Sequence, residues 1–401
     1  MKITEFINTG FREYMNYDNY RSLPHLMDGL KITERKILYA FVEHIGTGKI
    51  VVDKAGMRAA DVSKYHHGAT SMIGVLVNMN QDFPGANNMP LFEKSGQFGT
   101  RLNHTASSPR YISTKLGETF KKLFDSADNL ILDKQFDDGD EIEPKFYLPK
   151  LPLLLINGSE GTGNGYASTV LPYEPSEIKQ AVEEVLATGL VQTKLTPFMK
   201  GYYGAVSKDH ATGQVTFEGT FERKGANTII ITELTPSMTL EKYKDHLQFL
   251  MTGMKMRKGV MTKIAEPLIK DYDNESTEDG WRFVIDVPRT TAALSDEEIM
   301  DKFKLIERTT ENLTVWLPEG KLKRFTSTES LIEEWVRRRL EFYEIRRQDQ
   351  IARQNEGLTW LKTKLKFIEW WNTHAVKLVR LKRKDLEESV RQAVTPNEEY
   401  I

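Results

Sequence analysis

A tyrosine stands directly after an arginine at the end of the run Arg101-Leu-Asn-His-Thr-Ala-Ser-Ser-Pro-Arg110-Tyr111. A phenol has a pKa of about 10 and is a poor nucleophile at neutrality. A fixed guanidinium beside it favours the phenolate, and the same cation can neutralise a phosphate under attack. An Arg-Tyr dipeptide is common, and most tyrosines simply pack, so the pair needs company to mean anything. Upstream stand Arg21, Lys64-Tyr-His-His67-Gly68 and Gly96-Gln-Phe-Gly99. They supply a second guanidinium, imidazoles that titrate near neutrality and a glycine-bracketed turn. Two guanidiniums can hold phosphate oxygens by paired hydrogen bonds. The set therefore points to phosphoryl transfer, with Tyr111 as the attacking group.

The elements that must position these residues are partly readable. Residues 3–45 are expected to be helical: Asp28 precedes an amphipathic stretch with Ile32, Ile37, Leu38 and Phe41 at helical spacings. A second helix is expected over 69–79, after Gly68. Residues 80–109 read as loop, with turn chemistry at Pro84-Gly85 and Asn87-Asn88. From about residue 144 the character changes. Residues 147–156 read as a buried, extended run that leads into Asn157-Gly-Ser-Glu-Gly-Thr162-Gly-Asn-Gly165. Strands are expected at 214–218, 228–232 and 282–287, with helical pieces near 241–251. Beyond Thr326 the chain is charged and helical. Leu358, Leu361, Leu365 and Ile368 there follow the 3-4-3 spacing of a coiled-coil seam, interrupted by Gly357, a residue that costs about 1 kcal/mol in a helix. The fold class expected is α+β, in several domains.

Composition narrows the setting. The chain has 401 residues, 28% of them charged and 39% apolar, and no stretch reaches the roughly 20 apolar residues of a membrane span. The N-terminus lacks the apolar core of a signal peptide, so a cytoplasmic location is expected. The absence of cysteine removes disulfides, thiolate metal sites and Cys nucleophiles. The net charge of −2 does not announce a nucleic-acid binder, yet residues 1–115 hold 14 Lys/Arg against 10 Asp/Glu and five of the eight histidines. Binding to a polyanion would use that local surface. The acidic run Asp137-Asp138-Gly-Asp140 reads as a solvated turn, not a metal site. The glycines at 158, 161, 163 and 165 lack a following Lys-Ser/Thr, so ATP binding by this chain is not expected.

Ordered motifs carry a family resemblance along nearly the whole chain. Arg21-Ser-Leu-Pro24, Asp28-Gly-Leu-Lys31-Ile-Thr-Glu-Arg35-Lys36-Ile-Leu38, the His-His-Gly segment, Gly96-Gln-Phe-Gly99, Ser108-Pro-Arg110-Tyr111 and Asn157-Gly-Ser-Glu-Gly161 together resemble the DNA-cleavage subunit of type IIA topoisomerases. That family includes the gyrase A subunit, topoisomerase IV and the medium subunit of T-even phage topoisomerases, the last being the nearest in type. The resemblance implies a winged-helix DNA-cleavage domain over 1–143, a tower domain over 144–325 and a coiled-coil arm over 326–401 that stops about where an exit gate should begin. It implies that Tyr111 forms a 5′-phosphotyrosyl bond to double-stranded DNA in a homodimer. Arg110 and Arg21 would hold the phosphate and His67 assist proton transfer. Lys31, Arg35, Lys36, Lys64 and His66 would contact DNA. Mg²⁺ and ATP would be held by a partner subunit with Toprim and ATPase domains. Thr162 falls where the family usually carries a wedging isoleucine, which puts DNA bending at that residue in question. The rival expectation is a non-catalytic winged-helix scaffold that binds DNA without cutting it.

Overall fold

The N-terminal helices form where the sequence supplies their starts and stops. In the computed structural model, which describes residues 3–257, 260–263, 265–378 and 382–394, α1 (Ile3–Phe6) passes through a π-helical turn at Ile7–Phe11 into α2 (Arg12–Ser22). α2 ends because Leu23 is extended (φ −106°, ψ 144°), the conformation that Pro24 imposes on the residue before it. α3 (Ile32–Tyr39) opens with the Lys31 N–H donating to the Glu34 carboxylate at 2.8 Å, which closes its first turn. Ile37, Leu38 and Phe41 are fully buried, as their spacing requires.

Next come β1 (Ile50–Val51), α4 (Val52–Val62) and α5 (Ala69–Asn80). The two helices approach closely because Gly56 has no side chain: a Cβ there would lie 2.4 Å from Cγ1 of Ile73. The turn between them needs left-handed backbone at Lys64 (φ 50°) and Gly68 (φ 84°). β2 (Phe92–Ser95) and β3 (Ser113–Leu116) join β1 in an antiparallel sheet of order β1-β3-β2. Tyr111 thus sits two residues before the central strand. α6 (Glu118–Leu123) follows, then the hairpin of β4 (Gln135–Asp137) and β5 (Asp140–Ile142).

One expectation is corrected here. The buried run 147–156 is not extended throughout, because α7 (Leu153–Asn157) takes its second half. Leu153, Leu154, Leu155 and Ile156 are all buried; a short apolar run looks the same in a buried strand and a buried helix. Gly158 (φ 71°) then turns the chain into the hairpin of β6 (Ser159–Thr162) and β7 (Ala167–Val170). α8 (Pro175–Thr188) starts with proline and stops at left-handed Gly189.

The expected strands beyond residue 200 are present in two antiparallel sheets. One orders Ile306–Thr310, Gln214–Glu218 and Ala205–Lys208; the other orders Thr220–Lys224, Thr228–Glu233, Phe283–Asp286 and Asp271–Asn274. Ile229, Ile231, Phe283 and Ile285 of the second sheet bury one face against Tyr243, Leu247 and Leu250 of the helix Leu240–Thr252.

The chain divides into two compact units, Met1–Arg337 and Arg338–Ile401. In the first, Leu331, Ile332, Trp335 and Val336 are buried, and the Trp335 indole donates to the Met27 carbonyl at 3.0 Å. The second unit contains most of the helix Thr328–Leu378, unbroken at Gly357, and the helix Arg383–Val394. Leu358, Leu361, Leu365 and Ile368 are 43–56% exposed. The tail 395–401 lies outside the described residues.

Candidate DNA-cleavage site

Tyr111 is presented by a braced turn. Its N–H donates to the Ser108 carbonyl at 2.9 Å, and on either side the N-terminus of α4 takes hold: Asp53 N–H to Pro109 O at 3.3 Å, Val52 N–H to Ile112 O at 3.0 Å. Ile112 is buried, while Tyr111 is 75% exposed. The Arg110 guanidinium lies 5.2 Å from the centre of the Tyr111 ring, a cation–π arrangement. Cation and phenol are therefore already adjacent, with the phenol open to solvent.

The segment leading to this turn is fastened along its length. The Gln81 side chain donates to the carbonyls of Phe98 and His104 at 2.8 and 3.0 Å, and Ser107 N–H to Gln97 O at 2.9 Å. His104 stacks on Phe83; burial pushes the imidazole pKa down, with the Lys242 charge adding to the effect. Arg101 leaves this segment for the four-stranded sheet. It donates to Glu233 at 2.7 Å and lies 5.7 Å from the Trp281 ring centre, with its side chain 6% and that of Glu233 2% exposed. Sequence reasoning gives Arg101 no role. No local signal could, because its partner lies 132 residues away.

Arg21 is the last basic residue of α2. Its guanidinium lies 5.6 Å from the Tyr17 ring centre, and its Nε is buried with no hydrogen-bond partner among the described residues. A buried, unsatisfied donor on a charged group is costly unless something else completes it. The β6–β7 hairpin lies on the same helix. Asn164 donates to Asp18 at 2.7 Å, Asn19 donates to the Asn164 carbonyl at 3.1 Å, and the Lys31 ammonium donates to the Glu160 carbonyl. Thr162 is exposed on that hairpin.

His67 is exposed in the α4–α5 turn, edge-on to Tyr65 at 5.4 Å. His66 faces Asp137 at 3.7 Å, and Lys64 pairs with Asp140 at 2.8 Å. The hydrogen bond to Asp140 pushes the Lys64 pKa up and the Asp140 carboxyl down. The acidic turn is thus engaged with basic residues. Among the described residues no group of three or more His, Asp or Glu is placed to hold a metal ion.

Two expected DNA contacts are corrected. Arg35 is 2% exposed and holds Asp28 at 2.8 and 3.1 Å and the Leu30 carbonyl at 2.9 Å. Burial works against its charge, but Asp28 more than offsets it and the pKa is raised. Lys36 is 8% exposed, bonded to Glu143 at 2.8 Å and Ser63 O at 2.6 Å. Both cations are internal struts. The structure brings Arg110 to Tyr111 and the hairpin to α2. Among the described residues it records no hydrogen bond or ring contact from Arg21 or His67 to Tyr111.

Residues 21–397 match the family model for the DNA gyrase/topoisomerase IV A subunit. The mitochondrial DNA topoisomerase 2 of Dictyostelium discoideum is 31% identical over 388 residues, 95% of this chain and 29% of that protein. DNA topoisomerase 2-beta of Gallus gallus is 32% identical over 369 residues, 91% of this chain and 22% of the relative. The chain thus spans less than a third of the length of these relatives. Among solved structures, the crystal structure of the Plasmodium falciparum topoisomerase II DNA-binding, cleavage and re-ligation domain superposes with a TM-score of 0.85 at 30% identity, covering 99% of this chain and 53% of that one.

Proposed function

The chain belongs to the DNA gyrase/topoisomerase IV A-subunit family, and we propose that it is the DNA-cleaving and rejoining part of a type IIA topoisomerase. The observation that carries this reading is the solvent-open phenol of Tyr111, held under the Arg110 guanidinium on a turn braced by α4 and β3. A structural tyrosine would be packed; this one is displayed with its cation.

In the proposed reaction the Tyr111 oxygen attacks a backbone phosphorus and loses its proton. The phosphorus–O3′ bond breaks, O3′ leaves as a hydroxyl after taking a proton, and the 5′ phosphate stays on Tyr111. Rejoining reverses each step, so no bond energy is lost. Arg110 neutralises charge on the non-bridging oxygens, and Arg21 holds the same phosphate. His67 accepts and returns the proton. Lys31, Lys64 and His66 contact the backbone without reading sequence; for Lys64 and His66 this means exchanging Asp140 and Asp137 for phosphate. Mg²⁺ would be held by a Toprim-bearing partner subunit, where it would supply charge stabilisation for the leaving oxygen; ATP would be bound by the same partner.

The helix pair α4–α5 followed by the β1-β3-β2 sheet supports a winged-helix cleavage domain over 1–143, joined to a tower over 144–325. The exposed 3-4-3 seam supports a coiled-coil arm over 326–401. A homodimer would cut both strands of duplex DNA so that another can pass, in a two-subunit enzyme of phage type working in the cytoplasm of a host cell. No helix among the described residues is long and apolar enough to cross a membrane.

The test is DNA cleavage by this chain with its Toprim partner, ATP and Mg²⁺, stopped with denaturant. Wild type should yield protein on 5′ DNA ends and Tyr111→Phe none. Intact DNA binding without adducts from either protein would favour the scaffold instead.

A further inference from the structure

The loop before Tyr111 reaches into a part of the molecule that the reaction above does not use. Ser107 N–H donates to the Gln97 carbonyl at 2.9 Å and closes the loop at its base. Thr100 N–H donates to the Asn103 carbonyl at 2.8 Å and makes the tip a tight turn. Gly99 is left-handed (φ 100°), and a Cβ there would lie 2.6 Å from the His104 carbonyl oxygen, so the two arms pack on each other. The base runs straight into the turn of Tyr111, whose N–H bonds to the Ser108 carbonyl.

Arg101 and Leu102 occupy the tip. Leu102 packs on the apolar core of the four-stranded sheet. Arg101 meets Glu233 and Trp281, which the pairing Ile231↔Phe283 brings to the same end of adjacent strands. One Glu233 oxygen accepts from Arg101 Nη2 at 2.7 Å and the Leu234 N–H at 3.1 Å. The other accepts from the Tyr203 N–H at 3.2 Å. Backbone groups thus orient the carboxylate, and it faces the loop as a fixed acceptor.

Stability alone does not account for this pair. Replacing a buried ion pair by apolar side chains is often neutral or stabilising, and Arg101 Nε stays buried without a partner among the described residues. Nor does Arg101 alone join the two regions: Asn88 donates to the Phe198 carbonyl at 2.9 Å and accepts from the Lys200 N–H at 2.8 Å. What an ion pair adds is direction, because apolar burial has none. We infer that Arg101 is a positioning residue for the cleavage reaction, with Glu233 as its fixed stop. The pair sets where the loop base lies, and so where the Tyr111 oxygen stands relative to the phosphate. The four-stranded sheet thereby acts on the rate of the chemical step. This inference rests on the DNA-cleaving function proposed above.

The test uses this chain with its Toprim partner and Mg²⁺, on a duplex whose cleavage releases a short strand and so traps the adduct. A longer strand with a free 3′-hydroxyl then times rejoining. Arg101→Met with Glu233→Gln removes both buried charges and should keep wild-type stability in urea. Its DNA affinity should be unchanged, because both side chains are buried. Cleavage and rejoining should each slow by roughly 10- to 100-fold, the scale of a misplacement near 1 Å. Arg101→Lys, which keeps the charge but not the fork, should recover part of that loss. Ile229→Val lowers stability in the core of the same sheet and should leave both rates unchanged. The inference is overturned if the double variant reacts at wild-type rates, if its DNA affinity falls as far as its rates, or if Ile229→Val is equally slow. Should the double variant not fold, Arg101→Lys decides by the same readouts, and wild-type rates in it overturn the inference. Wild-type adducts with unaltered rates in the variants sink this inference alone, whereas no wild-type adducts sink the cleavage reading as well.

Discussion

Replacing Asp28 by alanine should nearly unfold the first unit, and removing Arg35 as well should partly rescue it. The Asp28 carboxylate accepts four hydrogen bonds: from Arg35 Nε at 2.8 Å, Arg35 Nη2 at 3.1 Å, Leu30 N–H at 3.0 Å and Tyr147 N–H at 2.9 Å. Asp28 is 0% exposed. Asp28→Ala leaves the Arg35 charge buried with the Leu30 carbonyl as its remaining acceptor. Breaking one side of a buried pair costs about 3–5 kcal/mol, and each stranded N–H adds about 1–3 kcal/mol. Because such terms overlap, the expected loss is about 5 kcal/mol, comparable to the whole stability of a marginal domain. Asp28→Ala with Arg35→Met removes the uncompensated charge, so the double variant should be more stable than Asp28→Ala alone. Urea unfolding followed by tryptophan fluorescence reads this, since the Trp335 indole is bonded to Met27, one residue from Asp28. The reasoning fails if the double variant is no more stable than Asp28→Ala. It fails equally if Arg35→Met folds normally yet flattens the salt dependence of DNA binding, which would make Arg35 a phosphate contact after all.

Other predictions follow from neighbouring features. Lys64→Met should weaken DNA binding and reduce the slope of log K against log salt by about one. Lys36→Met should instead destabilise the fold and leave that slope alone, because it strands the buried Glu143 carboxylate; filter binding over a salt series distinguishes the two. Gly161→Ala drives a Cβ into the Ser22 carbonyl and should cost about 1–3 kcal/mol in a urea melt; an unchanged midpoint would mean the hairpin is not seated on α2. Glu184 is held down to about 2, first by the Thr193 hydroxyl and then by the backbone N–H groups of Thr193 and Gln192. A depressed carboxyl stabilises above its ordinary pKa of 4.5 and loses that contribution as pH falls toward about 2. Glu184→Gln should therefore flatten the acid limb of a stability–pH curve, and superimposable curves for the two proteins would refute the assignment.

The sequence discloses those features whose causes are local. The spacing of Ile37, Leu38 and Phe41 announces a buried helix face, the runs near 214, 228 and 282 announce strands, and the adjacency of Arg110 and Tyr111 survives folding because they are neighbours in the chain. Features with distant causes are hidden. Arg35 and Lys36 look like surface cations because residue type alone puts such side chains in water. Asp28 lies seven residues from Arg35, off the helical contact spacings, and Glu143 is 107 residues from Lys36. The helical half of 147–156 is invisible because buried strands and buried helices share the same apolar composition. Arg101 stands at the head of a motif yet shows no task there, since only folding brings Glu233 and Trp281 to it.

On the proposed cleavage reaction, the fastening of the segment before Tyr111 would matter most while DNA is broken. A covalently attached strand end is only as well placed as the residue that carries it. Gln81 holds this segment at Phe98 and His104, Arg101 moors it to a second sheet, and α4 grips both shoulders of the final turn. A strand end on Tyr111 would therefore have almost no tether on which to drift. Parting the two ends would require whole protein bodies to separate, and when they came back together each end would return to its own starting place. Fidelity of repair would then be a property of the anchorage, set before any bond is cut.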